Sequence, residues 1–371
     1  MLISGTKMQL YFQPTPENPY AWDYSDNETG IPTEPYDELG AISLYLRFSY
    51  HLACLMGGLL SFSMLYLVLF KTTGHLKSYS RMLLLCSATD IMYWFMDNMI
   101  QMKAKLEDGV FMVKLEGPAS RLPYAYHSVT MALYVVTLAW IHSILPAQYF
   151  FRYYAVTRSR PMTGFQTAAL YMVSLAFAIP MGSIAYPCYA YSPTIRPHFN
   201  YGTLWYREVP LPKVLYADIR YIYQKLYFLY SNVFVTSTYV LSLYYAYGTI
   251  QFLKHNSDMY SERTKAMQKQ LSRALFFQSC LPVILSIGPI LLICVPSFFY
   301  LNTGRSALVL MNITSWVPVF NPLLTISVIV PYRRAVVACF AEHKVHTSSA
   351  KDTKDSSAKQ TTHDNGMDMM M

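Results

Sequence analysis

Two acidic residues fall inside a stretch of sequence that is otherwise suited to a membrane. Asp90 and Asp97 lie within residues 82–102, which contain no Lys or Arg. A spacing of seven places them on one face of a helix, where Trp94 and Gln101 extend the same stripe. Ionisable groups are costly in lipid and usually face the interior of a bundle. The stripe therefore predicts a polar interior network that takes part in conformational change, although two protonated carboxyls bonded to neighbouring helices would fit as well.

A single arginine ends a long run without charges. Residues 122–151 contain no Asp, Glu, Lys or Arg, and Arg152 follows within the stretch FFRYYAVTR. Its long stem lets the guanidinium reach water or polar partners at the membrane surface. One interpretation is a membrane anchor, a role that Arg158 could fill equally well. The other is that Arg152, with Tyr153 beside it, presents hydrogen-bond donors to a partner protein when the helices move.

Prolines recur in the last two apolar runs. Pro282, Pro289 and Pro296 are spaced by seven residues, and the final run contains Asn321 followed by Pro322. Each proline removes a hydrogen bond from its helix and favours a kink, which membrane helices tolerate when neighbouring groups bond the freed carbonyl. We expect a hinge near Pro289, and the alternative is a bent helix that simply packs well.

Other reactive side chains are scattered along the chain. The six cysteines form no CxxC pair, no HExxH motif occurs, and no Cys/His cluster is present. His127 and His142 are fifteen residues apart and are interpreted as polar residues that face neighbouring helices. We therefore expect no catalysis, no metal site and no cofactor. Residues 307–330 contain no Lys, which argues against a retinal Schiff base.

The composition indicates the elements that must hold these residues. The chain is 53% hydrophobic and 13% charged, about half the charged fraction of soluble proteins. The net charge of +8 is spread between apolar runs rather than clustered, so nucleic acid is not expected as a partner. Seven runs are long enough to cross a bilayer. They predict an all-α membrane protein, a bundle of seven transmembrane helices near 46–70, 79–102, 122–150, 166–187, 226–250, 270–299 and 307–330.

Charge asymmetry predicts the orientation of this bundle. With the N-terminus outside, 17 of the 29 Lys and Arg residues fall on the cytoplasmic side. The acidic N-terminal segment contains a glycosylation acceptor at Asn27, whereas the acceptor at Asn312 lies at membrane depth. We expect an extracellular N-terminus, a cytoplasmic C-terminus and glycosylation of Asn27. The predicted organisation is an extracellular segment (1–45), the bundle (46–330), an amphipathic helix on the membrane surface (331–345) and a disordered cytoplasmic tail (346–371).

Several motifs together resemble one receptor family. HLKSYSRMLLLCSATD, EGP before the third helix, FRYY, and MQKQLSRALFFQSCLPVI before the sixth are similar to nematode serpentine chemoreceptors of the Srd and Str classes, which are G-protein-coupled receptors. The resemblance spans roughly residues 71–334. It implies that Asp90 is the carboxylate of helix two and Arg152 the arginine of the coupling motif. It also implies that Asn321 and Pro322 form the helix-seven pair.

The sequence departs from the receptor pattern at three places. Phe151 occupies the position of the acid that usually precedes the arginine, so an Asp–Arg lock is not expected. NPLLT lacks the tyrosine that usually follows Asn-Pro. Ala119 stands where such receptors carry a cysteine, which leaves Cys188, expected in an outer loop, without its usual disulfide partner.

The resemblance implies a chemosensory receptor that binds a small odorant or pheromone and activates a heterotrimeric G protein. We expect the receptor in the plasma membrane of a sensory cell, in the membrane of its cilium. Membrane lipid is an expected partner, and the receptor is expected to be able to form homo- or heterodimers. A transporter or ion channel is the alternative, but no paired halves are visible in the sequence. The residues expected to bind the ligand come from helices three, six and seven: Met131, Tyr134, Leu291, Cys294, Met311 and Ser315.

Overall fold

The computed structural model describes residues 39–72, 79–158, 162–196, 199, 201–205, 212–255 and 280–338. Most of them are helical, which confirms the predicted helical fold. The helices are α1 (Ala41–Phe70), α2 (Ser80–Ile100), α3 (Tyr124–Thr157), α4 (Gly164–Tyr191), α5 (Ile222–His255), α6 (Cys280–Phe298), α7 (Ser306–Thr314) and α8 (Val317–Val328). Residues 331–338, the described part of the predicted surface helix (331–345), are also helical.

Five of these helices, α1, α3, α4, α5 and α6, are long enough and apolar enough to cross a membrane. The pair α7 and α8 meets the same requirement when taken together, but the two helices are bent by 43°. The predicted helix at 307–330 is therefore two helices. The remaining helix, α2, contains Arg81, Asp90 and Asp97 and does not belong to this set.

Prolines and neighbouring hydroxyls account for the bend between α7 and α8. Pro318 lies in the first turn of α8 and has no N–H for the carbonyl of Thr314, four residues earlier. Tyr93 of α2 donates its hydroxyl to that carbonyl at 3.2 Å. Pro322 leaves the carbonyl of Pro318 free in the same way, and Ser61 Oγ of α1 donates to it at 3.2 Å. Hydroxyls from other helices thus satisfy both freed carbonyls.

A three-stranded antiparallel sheet covers one end of the bundle, and the sequence had not led us to expect it. The strands are β1 (Met102–Glu107), β2 (Val110–Leu115) and β3 (Val214–Asp218), in the order β1-β2-β3. Asp108 and Gly109 join β1 to β2 with φ angles of 52° and 71°, as a two-residue hairpin turn requires. A Cβ on Gly109 would lie 2.5 Å from Ile219 Cγ2, so the turn also demands a glycine for space.

An ion-pair cluster ties the sheet to the surrounding loops. Arg196 donates to Asp218 at 2.7 Å and to Asp108 at 3.0 Å, and Arg220 donates to the same two carboxylates at 3.3 and 3.0 Å. Tyr201 donates a further hydrogen bond to Asp218, whose side chain is fully buried. Burial raises the pKa of Asp108, but the hydrogen bonds and charges of the two arginines outweigh that effect and lower this pKa below its usual value.

Two helices continue past their predicted ends and so change where a candidate residue lies. α3 continues to Thr157, so Arg152 lies inside the helix rather than just beyond its end. α4 continues to Tyr191, so Cys188 is a helical residue and not part of an outer loop. Residues 1–38 of the predicted N-terminal segment, with Asn27, and the predicted tail lie outside the described residues, as do residues 256–279 before α6. Residues 41–45, which were predicted to belong to that segment, are part of α1.

The helices alternate in direction, which gives the bundle two distinct ends. The sheet, the start of α3 and the start of α5 lie at one end, which we call the sheet end. The start of α2, the end of α3 and the end of α5 lie at the other, which we call the Arg152 end. At the centre, α3 packs against α2, α4 and α5.

Candidate functional site

A small cavity lies between the sheet and the helices, and we call it the sheet-side cavity. Its volume is about 50 Å³, and side chains of α3, α4, α5, α6 and α7 surround it. Met102 of β1 and Phe111 of β2 also line it, so the sheet forms its cover. Four of the six residues predicted to bind a ligand lie on its wall: Met131, Tyr134, Cys294 and Met311.

The other two predicted residues lie nearby but do not line this cavity. Leu291 is partly buried and packs against the same hydrophobic core. Ser315 is buried in the break between α7 and α8, beside the carboxyl of Asp97. Helix geometry explains the position of Leu291. Successive residues of a helix point about 100° apart, so Leu291 lies at the edge of the face that Ile290, Ile293 and Cys294 turn to the cavity.

The stripe predicted on α2 faces the interior of the bundle. Asp97 is buried beside Ser315 and Tyr134. Trp94 donates its indole N–H to the carbonyl of Cys54 at 2.8 Å and packs on the glycines of α1. Asp90 accepts a hydrogen bond from Asn321 Nδ2 at 3.0 Å. The network therefore joins α2 to α1, α3, α7 and α8.

One residue on the cavity wall was not among the predicted ligand contacts. His142 is 4% exposed and belongs to the face of α3 that also carries Tyr134 and Met131. Its Nδ1 lies 2.6 Å from the carbonyl oxygen of Leu138. Its Nε2 is buried and has no hydrogen-bond partner among the residues that the structure describes. The spacing of 131, 134, 135, 138, 139 and 142, which is that of one helical face, was the signal that could have found it.

A second cavity, of about 60 Å³, lies closer to the Arg152 end, and we call it the Arg152-side cavity. Its wall includes the bonded pair Asp90 and Asn321, with Pro322 next to it. Gln148 of α3 and Pro282 of α6 also line this cavity. The structure thus brings together Asp90, Asn321 and Pro322, which the resemblance had linked to switching.

The arginine that gives this end its name lies among aromatic and sulfur-containing side chains. Arg152 is partly buried, with Tyr79, Cys86 and Tyr149 near its guanidinium. Phe151 is 1% exposed, and its ring centroid lies 5.8 Å from that of Tyr79. The phenylalanine that replaces the usual acid is therefore a core residue that faces away from solvent.

Tyr153 and Pro289 occupy places where helices approach or change geometry. Tyr153 packs against Gly248 of α5, where a Cβ would lie 3.1 Å from its ring. Pro289 follows a π-helical turn, Val283–Ile287, in which the N–H of Gly288 bonds to the carbonyl of Val283, five residues earlier. Such turns occur where a proline interrupts the regular ladder, and they often mark functional positions.

The described cysteines and histidines form no metal centre. Within the described ranges, no group of three or more His, Cys, Asp or Glu side chains is placed to hold a metal ion. Cys188 is fully buried in α4, and its thiol donates to the carbonyl of Ile184 at 3.0 Å. The expectation that Cys188 lies in an outer loop was wrong, because the helix extends past it.

Comparison with known families decides what kind of protein carries these cavities. The family model described as "Serpentine type 7TM GPCR chemoreceptor Str" matches residues 47–337, a span that includes both cavities and the sheet. The chain belongs to the Str family of serpentine chemoreceptors. The resemblance to nematode serpentine receptors seen in the sequence is thus confirmed.

Two curated relatives of this Str receptor are nematode proteins. Each is described as "Serpentine receptor class r-10". The protein from Caenorhabditis elegans is 24% identical over 309 residues, which cover 77% of this chain and 88% of the relative. The protein from Caenorhabditis briggsae is 23% identical over 320 residues, which cover 80% and 92%. The chain is therefore similar to these receptors over nearly their whole length.

Family membership also settles the helix count and the broad class. A seven-transmembrane receptor requires α2 as a span, together with α1, α3 to α6 and the bent pair α7 and α8. The Str receptor is an integral membrane protein of a non-enzymatic class. Small-molecule ligands and G proteins are the partners of this class in general.

Proposed function

We propose that this Str receptor binds a small, mostly apolar molecule in the sheet-side cavity and activates a heterotrimeric G protein through its Arg152 end. The observation that carries the proposal is the cavity itself, whose wall contains Met131, Tyr134, Cys294 and Met311 from three different helices. A ligand that contacts α3, α6 and α7 at once can bias how these helices pack. That bias is what a receptor must transmit.

The orientation forms part of the proposal. The sheet end faces outside and the Arg152 end faces the cytoplasm, as the distribution of Lys and Arg favours. Ligand then reaches the sheet-side cavity from outside, past or beneath the sheet. The receptor acts in the plasma membrane of a sensory cell, in its ciliary membrane, where such ligands arrive.

The small size of the sheet-side cavity points to a change of shape on binding. A volume of about 50 Å³ is far below the roughly 300–1,000 Å³ of pockets that hold drug-sized ligands. Met102, Met131 and Met311 line the cavity. Methionine side chains are unbranched and adapt to irregular guests. A ligand therefore enlarges the cavity by displacing these side chains beneath the sheet.

The proposed route to the G protein runs through α6 and α3. The π-helical turn before Pro289 gives α6 a place to bend, and its first described residues line the Arg152-side cavity. Movement of α6 uncovers Arg152 and Tyr153, which then donate hydrogen bonds to the G protein. Because Phe151 replaces the usual acid, no carboxylate at that position holds Arg152 back, and basal signalling is expected.

A reporter assay with Tyr134 variants tests the ligand site. Cells that express the receptor and a G-protein reporter are screened against odorant and pheromone libraries. Tyr134→Phe keeps the ring but loses the hydroxyl that lies 3.4 Å from Tyr93, and Tyr134→Ala removes both. We expect Tyr134→Ala to weaken the potency of an agonist by at least about tenfold at equal surface level. Unchanged dose responses for both variants would place the ligand site elsewhere.

A further inference from the structure

The two nitrogens of His142 have different environments, and this difference fixes the proton. Nδ1 lies 2.6 Å from the carbonyl oxygen of Leu138, one turn earlier in α3. A carbonyl oxygen only accepts hydrogen bonds, so Nδ1 must carry the hydrogen. In a neutral imidazole the other nitrogen then has a lone pair and no hydrogen. Nε2 of His142 is therefore a hydrogen-bond acceptor.

That acceptor belongs to a residue on the wall of the sheet-side cavity and has no partner among the described residues. His142 lines the cavity, and its Nδ1 edge is turned back to the helix backbone, so Nε2 lies on the opposite edge of the ring. Nε2 is buried and unbonded within the part of the chain that the structure describes. A buried polar atom without a hydrogen-bond partner raises the free energy of the protein. A ligand that donates a hydrogen bond to Nε2 removes this cost and therefore binds more tightly.

Two other polar side chains on this wall, Tyr134 and Cys294, already have polar neighbours. The hydroxyl of Tyr134 lies 3.4 Å from that of Tyr93 and near Asp97. The thiol of Cys294 lies beside the hydroxyl of Ser231. His142 lies eight residues beyond Tyr134 towards the Arg152 end, about 12 Å further along α3. His142 therefore lies at the deep end of the cavity, and its Nε2 is a buried polar atom there that the described residues leave without a partner.

We propose that His142 is a ligand-binding residue and that it selects small apolar molecules with an O–H or N–H donor, such as alcohols and phenols, over carbonyl compounds and ethers of the same shape. This inference rests on the proposed function, since it assumes that the sheet-side cavity is the ligand site. The donor of the ligand bonds to Nε2 at the deep end, and the hydrocarbon part packs against the methionines and Phe111. A carbonyl or ether oxygen at the same place has no hydrogen to donate, so its lone pairs would repel the lone pair of Nε2.

Matched probes separate this inference from the general proposal. Purified receptor is titrated with hexanol, hexanal and hexyl methyl ether, and with benzyl alcohol, benzaldehyde and benzyl methyl ether. The shift of the thermal midpoint gives the affinity of each probe. We expect each alcohol to bind about tenfold more tightly than its aldehyde and ether, the ratio expected for one buried hydrogen bond.

Two variants of His142 separate the roles of its two nitrogens. His142→Asn keeps an amide N–H near the place of Nδ1, where it can still bond to Leu138, but has nothing at the place of Nε2. It should lower the affinity of the alcohols to that of the aldehydes and leave the aldehydes unchanged. His142→Gln extends an amide to the place of Nε2, where it can accept or donate. His142→Gln should reduce the difference in affinity between alcohols and aldehydes, because the aldehydes bind more tightly to it.

His127 provides a matched control on the same helix. It is also buried, its Nε2 lies 3.0 Å from the carbonyl of Leu122, and its Nδ1 has no partner among the described residues. It is not part of the cavity wall. His127→Gln, which keeps an amide at the paired position, should leave the preference for alcohols intact.

Each outcome decides between the two proposals. Equal binding of alcohols, aldehydes and ethers, a preference for aldehydes, or an alcohol preference that survives His142→Asn would reject the role of His142 while leaving the cavity as the ligand site. Loss of the preference in His127→Gln would show that the effect is not local to His142, and would reject the role as well. If no probe of either series shifts the midpoint, the cavity is not a site for such molecules, and the proposed function fails together with this inference.

Discussion

The two ends of the bundle are built in different ways. At the sheet end, three strands, a hairpin turn and four charged side chains cross-link the loops between the helices. Arg196 also packs over the ring of Phe199, at 4.2 Å from its centroid, and Arg220 over that of Tyr300, at 4.8 Å. At the Arg152 end, the described contacts are mainly aromatic and aliphatic, with Phe151, Tyr79 and Met82 in one cluster.

This difference indicates where each kind of change can happen. Ion pairs and strand pairing fix the relative positions of the loops, because directional bonds tolerate little sliding. Aromatic and aliphatic contacts let helices shift past one another at lower cost, because hydrophobic burial is not directional. A receptor of this design would adjust side chains beneath a firm cover at the sheet end. It would move whole helices at the Arg152 end.

Two glycines test the contrast in packing, and they should give the largest effect on stability. At Gly182 of α4, a Cβ would lie 2.3 Å from Val136 Cγ2 and 2.6 Å from the carbonyl oxygen of Ala132. At Gly248 of α5, it would lie 3.1 Å from the ring of Tyr153, which can give way. We expect Gly182→Ala to lower the free energy of unfolding by about 1–3 kcal/mol, because α4 must move away from α3.

The matched substitution at the other end should behave differently. Gly248→Ala should be neutral or stabilise the helix by up to about 1 kcal/mol, since alanine is the better helix former. Thermal unfolding of the purified variants measures both. A Gly248→Ala variant as unstable as Gly182→Ala would mean that the Arg152 end is packed as tightly as the contact between α3 and α4 nearer the sheet end.

The sequence predicted the helices well but did not predict the three-stranded sheet, and the reason is physical. A run of about 20 residues without charges has few alternatives to a transmembrane helix, so composition alone located the spans. The sheet depends on β3, which is about a hundred residues from β2 in the chain and pairs with it only in the folded protein. The turn Asp108-Gly109 between alternating apolar residues is nevertheless a hairpin signal in the sequence that predicts the pairing of β1 with β2.

The candidate site was predictable to a similar extent. The predicted helix boundaries, the helix face and the depth in the membrane were enough to choose Met131, Tyr134, Cys294 and Met311, which line one cavity. They did not identify Leu291 as lying outside it, because the rotation of α6 about its own axis depends on tertiary packing, and the face turned to the cavity is that of Ile290, Ile293 and Cys294. His142 was noticed but interpreted as a structural residue, since a sequence does not show which nitrogen of a ring lacks a partner.

Glycosylation of Asn27 tests which end faces outside, through a gel shift of one glycan. Asn312, the other acceptor sequence considered, is buried in α7 and its side chain accepts a hydrogen bond from Ser49 at 2.6 Å. We expect a glycosidase to increase the mobility of the wild-type receptor and to have no effect on Asn27→Gln. A shift that persists in Asn27→Gln would contradict the orientation in which the sheet end receives the ligand.

Cys188→Ser should have the smallest effect. The thiol of Cys188 donates to the carbonyl of Ile184 within its own helix, and a serine hydroxyl forms the same bond. The sheet end is held by its strands and ion pairs, so it does not require a disulfide from Cys188. Surface expression and thermal midpoint of Cys188→Ser should stay close to those of the wild type. Collapse of surface expression, with Cys188 found oxidised in the wild type, would mean that a disulfide shapes the sheet end.

If ligand binds at the sheet end and the G protein couples at the Arg152 end, a change at Arg152 should separate binding from coupling. Purified receptor is combined with a heterotrimeric G protein, and nucleotide exchange is measured with and without the best-binding alcohol of the probe series. In the same samples, the thermal midpoint reports ligand binding. Arg158→Ala, at the exposed end of α3, serves as the control.

Arg152→Ala should abolish basal and ligand-induced nucleotide exchange while the ligand still raises the thermal midpoint as in the wild type. Arg152→Lys, which keeps the charge but not the planar fork, should restore part of the exchange. Arg158→Ala should behave like the wild type. Normal exchange in Arg152→Ala would contradict the account, because Arg152 would then be a membrane anchor and coupling would use other residues.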